Sequence, residues 1–220
     1  MLRIILVRHC ETDLAIEKRY QGNKDVPLNS IGRKNAKFIT EKIKGHIANH
    51  NYEISKIYSS CLSRSYETAE IIKARINFKG EVEKICELNE RNFGDWEGMT
   101  YNEISSKYGK SKTDKYLNNP LNFSIQNAET FKDFKDRALK GLNFILNVNK
   151  EEIKDIKERT IIVVAHGGTN RIIICDALNL SFENFFMIKQ DFGGINVIEY
   201  YPNEDTHKIF GVIDMINGNI

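Results

Sequence analysis

Ile4-Ile5-Leu6-Val7-Arg8-His9-Cys10-Glu11-Thr12 and Ile161-Ile162-Val163-Val164-Ala165-His166-Gly167-Gly168-Thr169 are the two stretches that decide the fold. Each opens with a short, continuous apolar run, the pattern of a strand buried on both faces. Each run ends at a histidine. After His166, two glycines open what reads as a helix. In open α/β sheets, ligands bind outside the carboxyl ends of the strands. Two strand-end histidines in one small domain are therefore expected to face one crevice. Imidazole serves as a nucleophile or proton carrier near neutral pH. Arg8 adds a planar, permanent cation suited to phosphate oxygens.

The remaining elements are read outward from these two. Leu2 to Val7 is the first strand. Asn29 and Ser30 cap a helix from about Ile31 to Ile47, with Ala36, Ile39, Ile43 and Ile47 on one face. Ile54 to Tyr58 is a short strand. Ser59 and Ser60 lead into a helix that carries Arg64, Thr68, Ala69, Ile71 and Ile72. Glu81 to Ile85 is a third strand, followed by a glycine-containing loop to Gly98 and a short helix at Tyr101 to Tyr108. Ser111 to Asn127 is polar and reads as an irregular lid or flap. Phe131, Phe134, Ala138, Leu142 and Ile145 recur at helical spacing, so a long amphipathic helix follows. Ile161 to Val164 is the fourth strand and Thr169 to Leu178 a helix. Ile195 to Tyr200 and Ile209 to Ile213 finish the chain as an edge hairpin. Pro27, Pro120 and Pro202 fall in loops or at strand edges. Strands alternating with helices predict an α/β three-layer sandwich: a mostly parallel central sheet with helices on both faces.

Composition bounds the classes of function. The 220 residues are 41% hydrophobic and 28% charged, as a globular chain should be. That length suits one domain over 1–220, with a helical or loop insertion resembling a cap at about 99–130. The net charge is +2 and the lysines are interleaved with glutamates, so no nucleic-acid partner is expected. No run approaches the ~18 apolar residues of a membrane span, so no membrane partner is expected. The N-terminus begins directly with the strand-like LRIILV and shows no signal-peptide layout, which predicts a cytoplasmic protein. Cys10, Cys61, Cys86 and Cys175 are widely spaced, with no C-x-x-C. Reduced thiols are expected from that pattern.

With Arg8-His9 as the anchor, five blocks together resemble the histidine phosphatase (phosphoglycerate mutase-like) superfamily. LVRHCET is similar to its R-H-G-E-T opening. RYQGNKDVPLNSIGRKNA (Arg19 to Ala36) resembles R-[FY]-Q-G…D-x-P-L-[TN]-x-x-G. YSSCLSRSYETAEII (Tyr58 to Ile72) resembles S-S-x-L-x-R-[AS]-x-x-T-A. LNERNFGDWEG (Leu88 to Gly98) resembles L-x-E-x-x-[FY]-G-x-W-E-G, and VVAHGGTNR (Val163 to Arg171) resembles V-[SA]-H-G-G-x-x-R. The blocks span about residues 2 to 200. Any one of them is weak; five in order leave little room for coincidence.

The resemblance implies roles for individual residues. His9 would attack phosphorus and carry the phosphoryl group. Arg8, Arg64 and His166 would hold the phosphoryl oxygens, with Gln21, Gly22 and Gly167 completing the phosphate and substrate contacts. Glu90 would protonate the leaving oxygen and then activate water. Glu97 is a rival acid, ranked second. Transfer of an anionic group rests mainly on positioning and fixed positive charge. Protein cations supply that charge, so no metal and no cofactor are implied. The implied partner is a small-molecule phosphate ester, and a homodimer is compatible with the pattern.

Two other motifs lead nowhere. His46 and His50 are four apart, but H-E-x-x-H lacks its glutamate because Ile47 follows His46. They read as a frayed, solvated helix end. His9-Cys10 is like the start of cysteine-dependent phosphatases, yet Ile16 stands where that motif needs arginine. Two departures from the family pattern bear on rate. Cys10 replaces a glycine, which would cost on the order of 1 kcal/mol or more if the backbone there were left-handed. Ala15 replaces an asparagine that touches phosphate in the family. A relative that binds phosphate ligands and has lost turnover is the non-enzyme alternative.

The blocks divide over the reaction type. LNER (Leu88 to Arg91) is worded as in cofactor-dependent phosphoglycerate mutases. WEG (Trp96 to Gly98) and QNAETFKDFKDR (Gln126 to Arg137) are worded as in the phosphatase branch, and the chain length suits that branch. The expected activity is therefore a metal-independent phosphomonoesterase working through phosphohistidine, with a mutase as the alternative. IKQDFGGINVIEYY (Ile188 to Tyr201) resembles α-ribazole phosphatases, which would make α-ribazole 5'-phosphate the substrate.

Overall fold

A computed structural model describes residues 1–152, 158–201 and 213–215. Strands β1 (Leu2–Arg8), β2 (Ile54–Ser59), β3 (Val82–Lys84), β4 (Arg159–Ala165), β5 (Ile195–Tyr200) and β6 (Ile213–Met215) form one sheet. Its order is β3-β2-β4-β1-β5-β6. The first four strands are parallel, and β5 and β6 add two antiparallel pairings at one side. The helices are α1 (Asp13–Ile16), α2 (Ser30–His50), α3 (Ser63–Arg75), α4 (Tyr101–Tyr108), α5 (Lys110–Asn118), α6 (Phe131–Glu152) and α7 (Gly167–Ala177).

Period-two alternation along the central strands creates the three layers. Ile4, Leu6, Ile161 and Val163 pack with Leu142 and Ile145 of α6 and Ile173 of α7. Their sequence neighbours Ile5, Val7, Ile162 and Val164 point the other way. They pack with Ala36, Ile39 and Ile43 of α2 and Ala69 and Ile72 of α3. Both faces of β1 and β4 are thus covered, as their unbroken apolar runs require. A separate aromatic cluster of Trp96, Ile104, Tyr116 and Ile125 holds α4 and α5 together.

The register of β1 and β4 places the two histidines. Leu6 faces Val163 and Arg8 faces Ala165, so the strands end level with each other. The His9 N–H then donates to the Ala165 carbonyl at 2.9 Å. His9 and His166 emerge side by side, with ring centroids 5.0 Å apart.

Several expectations need correction. Ser111 to Asn127 is not irregular throughout, because Lys110–Asn118 forms α5. Burial of Tyr116 against Trp96 overrides a polar sequence with little helical patterning of its own. Helix α2 runs three residues beyond the expected Ile47. Asn51 closes it in a left-handed conformation, so His46 and His50 sit on a formed last turn rather than a frayed one. Their rings lie 4.4 Å apart. Helix α7 starts at Gly167, two residues early.

The cysteines also differ from expectation. Cys61 and Cys86 are joined as a disulfide, with Cα atoms 4.8 Å apart, while Cys10 and Cys175 are free and buried. Parallel pairing of β2 with β3 brings the two chain exits together, which a spacing of 25 residues could not reveal. Strand β6 pairs antiparallel with β5 at the edge. The expected strand at Ile209 to Ile213 lies largely outside the described residues, as does Pro202. Among the described residues no helix is long and apolar enough to cross a membrane.

Candidate active site

The site forms where β1, β2 and β4 end and the loop carrying Glu90 crosses above them. His9 is almost fully buried. Its Nδ1 lies 2.7 Å from the Cys10 carbonyl. A carbonyl can only accept, so Nδ1 carries the proton and Nε2 keeps its lone pair. Arg64 Nε donates to that Nε2 at 3.2 Å. Burial, then the neighbouring Arg64 and Arg8 cations, holds His9 well below the ordinary imidazole range. The ring is therefore neutral at physiological pH.

Arg64 comes from the first turn of α3 and is fully buried. Its Nη1 and Nη2 donate to the carbonyls of Lys24 and Gly22 at 2.8 and 2.6 Å. Arg8 ends β1 and donates through Nη1 to the Gln190 carbonyl at 2.6 Å. Its guanidinium stacks on Phe192, 3.7 Å from the ring centre. Burial lowers both arginines to about 10, opposed by the Glu90 carboxylate, so both stay charged at neutral pH. A Cβ at Gly167 would lie 3.2 Å from Arg8 Cζ, so the small residue lets the guanidinium lie close.

His166 is fully buried beside His9. Its Nε2 lies 2.7 Å from Ser60 Oγ, which also accepts from Leu62 N. Ser60 Oγ has one proton and two lone pairs; when it gives that proton to Nε2, His166 Nδ1 carries the ring proton. That Nδ1 and Arg8 Nε are buried without a hydrogen-bond partner. Buried polar atoms almost always have one, so two orphaned nitrogens beside His9, one of them a guanidinium donor, mark a place for an anion. Burial first, then Arg64, His9 and Arg8, keeps His166 far below the usual imidazole range too.

Glu90 Oε2 accepts from Gly168 N at 2.9 Å and Oε1 from Arg91 N at 3.0 Å. Arg137 of α6 buttresses this loop through the carbonyls of Glu87, Asn89 and Glu90. Glu97 is occupied elsewhere: its Oε1 accepts from Asn23 N and Phe93 N at 2.7 and 3.0 Å. It ties two loops together and does not line the cavity.

Arg8, His9, Ala15, Gln21, Gly22, Arg64 and Glu90 share one cavity of about 410 Å³, bordered also by Lys18, Arg19 and Phe192. Its size suits a small metabolite. Six of the eight sequence-derived site residues line it; His166 lies beside His9, with ring centroids 5.0 Å apart, and Gly167 follows it. Gln21 accepts from the Thr12 hydroxyl at 2.7 Å. Sequence reasoning missed Ser60, Phe192 and Arg137. Each lies inside a quoted block, but nothing in the wording says what it touches. Cys10 is not in the left-handed region, so replacing glycine strains nothing. Burial and nearby Glu11 push its thiol far up, which leaves it inert.

A neutral strand-end histidine, two buried arginines and a carboxylate over a small cavity are groups that suit a phosphate ester. The family model described as histidine phosphatase superfamily (branch 1) matches residues 4–211, and the chain belongs to that superfamily. It is 35% identical to phosphoglycerate mutase-like protein 4 of Arabidopsis thaliana, over 76% of this chain and 67% of that one. It is 30% identical to phosphoserine phosphatase 1 of Hydrogenobacter thermophilus, over 90% of this chain and 86% of the relative. The α-ribazole phosphatase of Shigella flexneri shares the fold: TM-score 0.79, 22% identity, 98% of this chain and 96% of that one.

Proposed function

We propose that this protein is a phosphomonoesterase that acts on a small phosphorylated metabolite through phosphohistidine at His9. The observation that carries the reading is the state of His9: neutral, its Nδ1 proton held by the Cys10 carbonyl and its Nε2 lone pair beside Arg64. Nε2 attacks phosphorus, the P–N bond forms and the ester P–O bond breaks. Glu90 gives its proton to the leaving oxygen. Arg8, Arg64 and His166 Nδ1 hold the three phosphoryl oxygens, where charge develops. Water then attacks phosphorus, its proton goes to Glu90, and the P–N bond breaks to release phosphate.

The segment of α4 and α5 acts as a cap over the leaving-group side, since Tyr101 and Tyr20 reach the cavity from it and from the loop beneath. A mutase is the second reading, favoured by Leu88-Asn89-Glu90-Arg91. The loss-of-turnover reading draws less support, because Cys10 is accommodated without left-handed strain and its thiol is inert. Purified protein should release phosphate from an aryl phosphate in the presence of chelator, and His9→Ala should lose essentially all of that activity. A panel containing α-ribazole 5'-phosphate, 3-phosphoglycerate, phosphoserine and sugar phosphates then ranks the substrates. Retained activity in His9→Ala would overturn the assignment.

A further inference from the structure

We infer that Lys18 is a specificity-determining residue, selecting phosphate esters whose leaving group carries a second anionic group. The inference rests on the phosphatase reading of the same cavity.

Three observations converge on Lys18. First, it borders the cavity that holds His9 and Glu90. Second, its charge is uncommitted. Four cations border the cavity: Arg8, Lys18, Arg19 and Arg64. Arg8 and Arg64 are buried beside His9, where they match a phosphoryl group. Arg19 is taken up by Glu17 and Glu103, both at 2.5 Å. Lys18 has no acidic partner among the described residues. Among the described residues, Glu90 is the one carboxylate bordering the cavity, and two backbone N–H groups hold it. Once a phosphoryl dianion sits on Arg8 and Arg64, Lys18 remains as unmatched positive charge.

Third, the backbone at Lys18 is left-handed, with φ 55°. Five non-glycine residues adopt positive φ among the described residues, and the other four are all asparagine. Asparagine tolerates that region better than lysine, whose Cβ crowds the following carbonyl oxygen there. The turn is held by Lys18 N to Ala15 O at 3.1 Å and Arg19 N to Leu14 O at 2.8 Å. These bonds close α1 in a left-handed helix-end motif and fix where the lysine side chain leaves the backbone at the cavity rim. Ala15 borders the same cavity.

The ligand chemistry is therefore a phosphate ester with a carboxylate or a second phosphate on the alcohol side. Lys18 is exposed, so water screens the contact and it is worth roughly two- to fivefold in kcat/KM. The test uses matched pairs: phosphoglycolate against ethyl phosphate and 3-phosphoglycerate against glycerol 3-phosphate for the carboxylate, and ethylene glycol bisphosphate against ethyl phosphate for the second phosphate. The wild-type protein should prefer the anionic member of a pair by roughly two- to fivefold. Lys18→Met should bring that ratio toward one, and Lys18→Glu should invert it. Lys37→Met, on the exposed face of α2, should keep the wild-type ratio. Which pair shows the larger ratio tells carboxylate from phosphate.

A wild-type ratio near one, or a ratio unchanged in Lys18→Met, overturns the inference while p-nitrophenyl phosphate turnover keeps the phosphatase reading intact. If no ester turns over, the phosphatase reading fails. Calorimetric binding of the same pairs to wild type and Lys18→Met then decides the inference by itself: equal affinities within a pair refute it, and an anionic preference lost in the variant upholds it.

Discussion

Gly168→Ala is a mutation that moves Glu90 without changing its chemistry. Gly168 N donates to Glu90 Oε2 at 2.9 Å. A Cβ built on Gly168 would overlap Glu90 Oε1 and stand 3.2 Å from Glu90 Cδ and 3.1 Å from Phe134 Cζ. The carboxylate is the end of a flexible side chain, so it swings away while the fold holds. Gly168 lies in the first turn of α7 and is not left-handed, so alanine suits the backbone. Folding stability should change by no more than about 1 kcal/mol. A general acid contributes about 10²–10⁴ in rate, and a displacement of order 1 Å costs about 10². Turnover of an alkyl phosphate should therefore fall about 100-fold. A nitrophenolate leaving group barely needs the proton, so the burst that reports phosphoenzyme formation should slow less than about tenfold. The assay is stopped-flow nitrophenolate release beside steady-state phosphate release, with a thermal melt as control. Adding Glu90→Gln to Gly168→Ala should cost little more than Glu90→Gln alone, because both act on one group. Unchanged alkyl phosphate turnover in a folded variant would refute Glu90 as the acid. Equal losses for both leaving groups would show a disturbed phosphate site instead.

Three further predictions use other parts of the structure. Glu90→Gln should let phosphoenzyme accumulate with p-nitrophenyl phosphate, since water loses its base; equal depression of burst and steady state would make its role positional. Reducing the Cys61–Cys86 bond, which closes a separation of 25 residues, should lower stability by about 3.5 kcal/mol in denaturant melts. A melt unmoved by a dithiol reductant, with both thiols then shown to be free, would contradict this. His9 and His166 are held neutral in the fold, whereas an unfolded histidine protonates near 6.5. Stability is therefore lost as pH falls below that value, by up to about 1.4 kcal/mol per pH unit for each ring. In the absence of phosphate, His9→Asn should reduce that slope in melts between pH 7 and 5, and an unchanged slope would contradict the neutral state.

What was legible in the sequence follows the locality of the signals. Arg8, His9 and His166 could be placed because strands buried on both faces announce their ends, and the crevice of an α/β sheet lies there. Arg64 and Glu90 could be assigned only through the family blocks, since an isolated arginine in a helix and an isolated glutamate in a loop carry no such mark. Helix α5 was hidden because its stability comes from Tyr116 packing on Trp96, far off in sequence. The Cys61–Cys86 bond depends on the pairing of β2 with β3, and the Ser60 contact to His166 on the pairing of β2 with β4. The place of Lys18 at the cavity and its left-handed backbone are not revealed by the wording EKRY.

The central claim is that His9 Nε2 takes the phosphoryl group. Its direct measurement is rapid quench of the protein with p-nitrophenyl phosphate under alkaline denaturing conditions, which preserve P–N bonds, followed by intact and fragment mass spectrometry. The account predicts a gain of one phosphoryl group mapped to His9, enriched in Glu90→Gln and absent from His9→Ala. A label on another residue, or rapid turnover with no covalent label even in Glu90→Gln, would contradict it.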